Sequence, residues 1–267
     1  GLGGGWTLGS AFTNANLISL DAGTFDTANY AITTSSIRVN ITTNTRQLNL
    51  GSSTVTLTSA GTAFDGSLQT NFTLNAGTSQ INITSGSSGI TASPGLTFYN
   101  VAFTSTTAGT KTVTGINTYN NFAVTAPSTA GVANITFAAK QTINGTLSTT
   151  GTAGNRRVFF ASATYGISVD LAVNSAPSLT DADFRGLYVT GTAAPISGTR
   201  IGNRGECRGI TFSTPKTVYW NLAGIQNWSA NGWAATSTGT PSTDYFPLPQ
   251  DTATFTNAGS VTGLITL

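Results

Sequence analysis

The chain has 267 residues, enough for one large domain or two small ones, and only 7% of them are charged, against about 25% in an average soluble protein. It contains no His and no Met, which excludes Ser-His-Asp, Cys-His and His-based zinc chemistry. Eleven Lys and Arg against nine Asp and Glu leave a net charge of +2, with no basic face able to neutralise many phosphates, which argues against nucleic acid.

About half of the chain is Thr, Ser, Asn and Gly, yet the 39% hydrophobic fraction is not scattered as in a disordered linker. The opening Gly1-Leu2-Gly3-Gly4-Gly5-Trp6 lacks an initiator Met, and is expected to belong to a processed or longer polypeptide. From Thr54 onward apolar and polar residues alternate: Thr54-Val55-Thr56-Leu57-Thr58, Phe72-Thr73-Leu74-Asn75, then Gln80-Ile81-Asn82-Ile83-Thr84. The pattern continues in Thr112-Val113-Thr114, Ile135-Thr136-Phe137 and Ile167–Val173. Period two places Val, Ile, Leu and Phe on one face of a strand and Thr, Ser and Asn on the other. Turns such as Asn75-Ala76-Gly77-Thr78 and Thr107-Ala108-Gly109-Thr110 separate the runs. The fold class is all-β. No apolar stretch approaches the roughly 18 residues of a membrane span; the longest purely apolar run is Val158–Ala161.

Repeats point to the architecture. Asn100-Val101-Ala102-Phe103-Thr104 returns as Asn121-Phe122-Ala123-Val124-Thr125, with a looser version at Gly186-Leu187-Tyr188-Val189-Thr190. This spacing suits a parallel β-helix, with apolar ladders inside and Asn at coil corners, where it tolerates left-handed backbone and bonds to the next coil. The reading is a β-solenoid with an irregular C-terminal β region; a β-sandwich of hairpins is the alternative. Val101, Phe103, Phe122, Val124, Leu187 and Val189 are expected inside, with Thr104 and Thr125 outside. The expected organisation is an N-terminal β segment or cap over 1–70, coils over 71–195 and an aromatic-rich C-terminal region over 196–267, within what could be one continuous domain. Phe12-Thr13-Asn14-Ala15 also recurs as Phe255-Thr256-Asn257-Ala258, each followed by a short apolar strand (Asn16–Leu20 and Gly263–Leu267), as in modules that follow one another.

The candidate chemistry is sparse. Asp181 and Asp183, with Glu206 some twenty residues on, form the only acidic cluster, and are expected in a solvated turn near Arg185 rather than as a glycosidase pair. Arg200, Arg204 and Arg208 read as a surface loop with one internal ion pair to Glu206, or as a contact for an acidic sugar or a subunit. Tyr219, Trp220, Trp228, Trp233, Tyr245 and Phe246 are either a small core where the coils stop or a platform for glycan or subunit contact. Pro241, Pro247 and Pro249 mark an irregular exit. The single Cys207 reads as a partly buried small hydrophobe. Six Asn-x-Ser/Thr sequons are what chance allows, acidic Gly-rich calcium repeats are lacking, and no catalytic residue or cofactor is expected.

The segment Asp183–Gly191, with Arg200-Ile201-Gly202-Asn203, Gly209-Ile210-Thr211-Phe212, Val218-Tyr219-Trp220-Asn221 and Pro247–Ala253, resembles large Thr- and Asn-rich β-solenoid proteins of tailed bacteriophages and bacteria. Trp6–Ser10, Leu20–Thr27 and Leu48–Ser52 are similar to the N-terminal half of the same group, so the resemblance spans nearly the whole chain. Arg204-Gly205-Glu206-Cys207-Arg208 departs from the group, where small residues and Asn are commoner. The resemblance implies a non-enzymatic virion protein (tail fibre, spike or surface appendage) that self-assembles or joins other virion proteins and contacts host-surface glycan. A bacterial surface adhesin or filament subunit, and a polysaccharide-degrading tailspike, are the alternatives.

Overall fold

The computed structural model describes residues 3–41, 43–224, 226–256 and 265–266. Strands dominate it, and a 3-10 turn at Thr243–Tyr245 is the helical element among the described residues. No helix there is long and apolar enough to cross a membrane.

The chain winds into a parallel β-solenoid. Each regular coil gives one strand to each of three faces. The first face is a seven-stranded sheet running from Phe12–Thr13 to Leu147–Thr150; the second is nine-stranded, from Ile18–Ser19 to Gly202–Asn203. The third is divided into two four-stranded sheets, one over Gly5–Asn75 and one over Asn117–Thr190. All ladders of the three faces are parallel, which a hairpin-built sandwich cannot provide. The strands of the second face cross residues 70 and 195 alike.

Alternation in the sequence becomes stacking in space. On the first face Val55, Ile81, Val101, Phe122 and Leu147 pair in succession, and all are buried. Asn100 lies opposite Asn121 on the next coil, as the repeat requires. The Asn100 carboxamide oxygen accepts from Asn120 Nδ2 (3.0 Å) and from the Asn121 N–H (3.2 Å), and Asn121 Oδ1 in turn accepts from the Thr146 N–H (2.7 Å). The Asn corner therefore ties three consecutive coils. Val101, Phe103, Phe122, Val124, Leu187 and Val189 are buried, while Thr104 and Thr125 face outward and are half-buried. Phe103, Phe122, Phe137, Phe160 and Phe184 form a chain of ring contacts with centroids 5.4–6.2 Å apart.

One part of the repeat reading is corrected. Leu187–Thr190 does not continue the ladder of Asn121–Thr125; it pairs with Val169–Val173 on the third face. The cause is uneven coil length: Phe12 stacks on Ile32, 20 residues later, but Gln141 on Leu171, 30 residues later. Extrapolating a constant period therefore drifts around the cross-section.

Two cations point into the solenoid. Arg46 is fully buried and donates to the carbonyls of Val39, Asn44, Leu68 and Thr70, pinning two loops to one coil. Lys111 is fully buried too, with Nζ donating to the Gly86 carbonyl at 2.9 Å, and burial pushes its ammonium below the ordinary lysine range. Gly115 has φ +83°, and a Cβ there would collide with the Ala92 carbonyl of the preceding coil, so this corner requires glycine.

After Thr211 the regular coiling ends. Thr217–Trp220 pairs with Thr252–Phe255 in parallel and with Trp233–Ala234 antiparallel. Gln226–Asn227 pairs with Ile265–Thr266. Of the repeated Phe-Thr-Asn-Ala, Phe255 ends a strand, whereas Asn257 and Ala258, like Gly263, Leu264 and Leu267, lie outside the described residues.

Candidate functional site

The densest polar chemistry lies where the second face meets the C-terminal region. Strands Arg156–Ser162, Ala182–Arg185 and Gly202–Asn203 stack there, with Phe159 opposite Asp183 and Asp183 opposite Gly202. Alternation turns Phe160 and Phe184 into the core and sends Arg157, Phe159 and Asp183 outward. They are nonetheless buried: Arg185 and Arg204 lie over the Phe159 ring, and Arg157 and Asp183 form one wall of a cleft whose other wall is residues 246–249. A Cβ on Gly202 would collide with Asp183 Oδ1 and stand 2.7 Å from Pro249 Cδ, so the close approach requires glycine.

Asp181 and Asp183 are both fully buried. The expected solvated turn, with carboxylates capping backbone N–H groups or meeting Arg185, is therefore corrected: Arg185 lies over the rings of Phe159 and Tyr165. Asp183 Oδ1 accepts from Arg157 Nε (2.8 Å) and Nη2 (2.5 Å), and Oδ2 accepts from Arg204 Nε (3.0 Å) and Nη2 (2.9 Å). Asp181 accepts two bonds from Arg200, at 2.6 and 2.9 Å, and stands 3.5 Å from Arg157 Nη1. Arg200 reaches on to Asp244 (2.5 Å), and its bonds to Asp181 hold its guanidinium above the ordinary arginine range. Three arginines and three aspartates make a neutral network. It ties the solenoid end to the segment at Asp244, and Lys216–Asp251 (3.0 Å) adds a tie within the C-terminal region. The expected Glu206 ion pair is not the one formed: Glu206 is exposed, and the arginines pair with Asp181 and Asp183 instead.

The aromatic residues divide. Trp220 and Trp233 are buried against each other, centroids 5.1 Å apart, and share a buried cluster with Val218 of the Trp220 strand. Their indole N–H groups donate to the Leu222 and Trp228 carbonyls. They form a small core, so no sugar or subunit reaches their faces. Tyr219 is half-buried in the same sheet, opposite Ala234 and Thr254. Trp228 is half-buried on the edge of that core, 4.7 Å from Trp233, and borders a cleft of about 510 Å³.

This cleft brings together residues far apart in sequence: Asn155, Arg157, Asp183, Arg204, Trp228 and Phe246 all line it. Asn155 Nδ2 donates to the Ser229 carbonyl (2.7 Å), which anchors the Trp228 loop to the solenoid, while its Oδ1 is buried without a partner. Of the residues singled out from sequence, the cleft unites Asp183, Arg204, Trp228 and Phe246, with Pro247 and Pro249. Arg208 lies elsewhere, over the Tyr188 ring (4.9 Å), beside Glu206 and Cys207 in a shallow hollow of about 320 Å³. The Cys207 thiol packs against the solenoid core, donates to the Gly205 carbonyl (3.3 Å) and is pushed up by burial. Sequence reasoning missed Arg157 and Asn155. The available signal was the 26-residue spacing of Arg157 and Asp183, close to one coil.

No protein-family model, curated protein or solved structure matches this chain.

Proposed function

We propose that the chain is a structural, non-enzymatic module of an extracellular appendage, in a phage virion or on a bacterial surface, acting by self-association and by attachment to host-surface glycan. The observation that carries this reading is the fate of the acidic pair singled out in the sequence. Asp181 and Asp183 are buried and saturated by arginines, so the two accessible carboxyl groups of a glycosidase are not available from them. The stacked coils support the same reading. Their stability is distributed over nearest-neighbour contacts, giving a stiff element with little charge to oppose dense packing of copies. The phage assignment rests on the resemblance of the sequence; the adhesin alternative shares the same mechanics.

Two assays test the proposal. Sizing of the purified chain at micromolar concentration, with electron microscopy, should give oligomers or end-joined particles. Incubation with host surface polysaccharide should release no new reducing ends. A strictly monomeric chain with no partner in its native particle contradicts self-association. Release of reducing ends that is lost in Asp181→Asn or Asp183→Asn contradicts the non-enzymatic reading.

A further inference from the structure

We infer that the cleft between the second face and the C-terminal region is a binding site for a neutral carbohydrate, held by the Trp228 ring and the outer edge of Arg204. The site deepens the glycan-attachment part of the proposed function and rests on that reading, but stands whether or not the chain self-associates.

Three observations carry it. The volume, about 510 Å³, falls in the roughly 300–1,000 Å³ range of small-ligand sites, and the walls are stiff. One wall is solenoid strand; the other is the Phe246-Pro247-Leu248-Pro249 segment, where both prolines lack backbone donors and Leu248 N–H is already bonded to Asp251. The cleft therefore requires little ordering on binding.

The second observation is the pattern of unused polar groups. Arg204 bonds Asp183 through Nε and Nη2, leaving Nη1 without a partner on a side chain that is 37% exposed. The Trp228 indole N–H has no partner, and Asn155 Oδ1 is an unpaired acceptor at the wall. Two donors flank a largely apolar floor with an aromatic ring, and the unpaired acceptor lies buried in the wall behind it. A sugar ring presents the complement: an apolar C–H face for stacking and a rim of hydroxyls that both donate and accept.

The third observation is charge. Arg157, Arg200 and Arg204 are balanced by Asp181, Asp183 and Asp244, and Lys216 by Asp251. Such a site has no net attraction for a carboxylated or sulfated sugar, and none for a cationic one. A neutral saccharide is the ligand class that matches.

The experiment titrates the intact chain with neutral probes (maltotriose, cellotriose, triacetylchitotriose) and one anionic probe (trigalacturonate), read by calorimetry and tryptophan emission. At least one neutral probe should bind saturably, with Kd on the order of 1 mM or tighter. Trp228→Ala should weaken it at least about tenfold, and Trp228→Phe, which keeps a ring but no N–H, should recover part of that loss. Trp6→Ala, at the opposite end of the solenoid, should leave it unchanged. Circular dichroism of each variant separates loss of binding from loss of fold, and Trp228→Phe preserves the small core if Trp228→Ala does not. Failure of all neutral probes to bind, stronger binding of trigalacturonate, or unchanged affinity in folded Trp228→Phe and Trp228→Ala overturns the inference. None of these outcomes bears on oligomer size, which tests the structural proposal separately.

Discussion

The stacked coils and the region after Thr211 bury apolar surface by opposite means. In the coils each strand meets a near-copy of itself above and below, so Val55, Ile81, Val101, Phe122 and Leu147 bury one another in line, and charge inside is confined to Arg46 and Lys111. Past the last coil no further rung stacks on the solenoid. There the chain folds back, packs Trp220 against Trp233, and is tied to the solenoid by Arg200–Asp244, by Asn155 at the Ser229 carbonyl and by Gln250 at Ile201 and Asn203, while Asp181 and Asp183 hold the arginines of the solenoid wall. Where repetition supplies the neighbour, apolar stacking suffices; where it stops, ion pairs fix the wall against which the irregular segment folds, and one of them, Arg200–Asp244, reaches that segment. Breaking such a pair leaves an uncompensated buried charge, so the network gives definition to the junction whatever its net contribution to stability.

This contrast can be broken at either side. Phe122→Ala removes a ring that contacts Phe103, Tyr119 and Phe137, and should cost about 3–5 kcal/mol in urea unfolding followed by far-UV circular dichroism. A cost below about 1 kcal/mol would mean that the rungs do not carry the core. Asn100→Ala deletes the corner acceptor for Asn120 and Asn121 and should cost about 1–2 kcal/mol, with Asn100→Asp a milder change because a carboxylate oxygen can accept both bonds.

Lys111 offers a finer test. Its folded pKa is lowered by burial, so the unfolded chain binds more protons between the folded and the ordinary lysine value. Its penalty is complete below the folded pKa, and stability should rise as pH climbs through that value toward 10.5. Lys111→Met should abolish this rise and leave stability at neutral pH equal or slightly higher, because an apolar chain of similar volume needs no partner there. Urea midpoints across alkaline pH measure it; an identical pH profile in the variant contradicts the burial.

Much of the solenoid was legible because its information is local. Alternation marked the strands, and the Asn100 and Asn121 repeat set one register correctly. The face occupied by Leu187–Thr190 was not legible, since coil length is set by loop insertions that no local pattern reveals. The junction was least legible of all. Asp181 and Asp183 look like a solvated turn until Arg157 and Arg204 are brought beside Asp183, from 26 and 21 residues away, about one coil on either side. Arg204 and Trp228 stood out singly in the sequence, but their union in one cleft depends on the fold-back of residues 246–251.

The central claim is that Asp181 and Asp183 hold in place the arginines that face the C-terminal region, Arg200 at Asp244 and Arg157 and Arg204 along the cleft wall. Tryptophan distribution makes it directly measurable, because three of the four indoles lie in that region and only Trp6 lies outside it. Urea unfolding of Asp183→Asn and of the parent chain, followed in the same samples by tryptophan emission and far-UV circular dichroism, separates the two regions. The account predicts that the emission transition moves to lower urea, by the equivalent of about 3 kcal/mol, ahead of a dichroism transition that shifts far less. Emission and dichroism transitions that both coincide with those of the parent chain would contradict it.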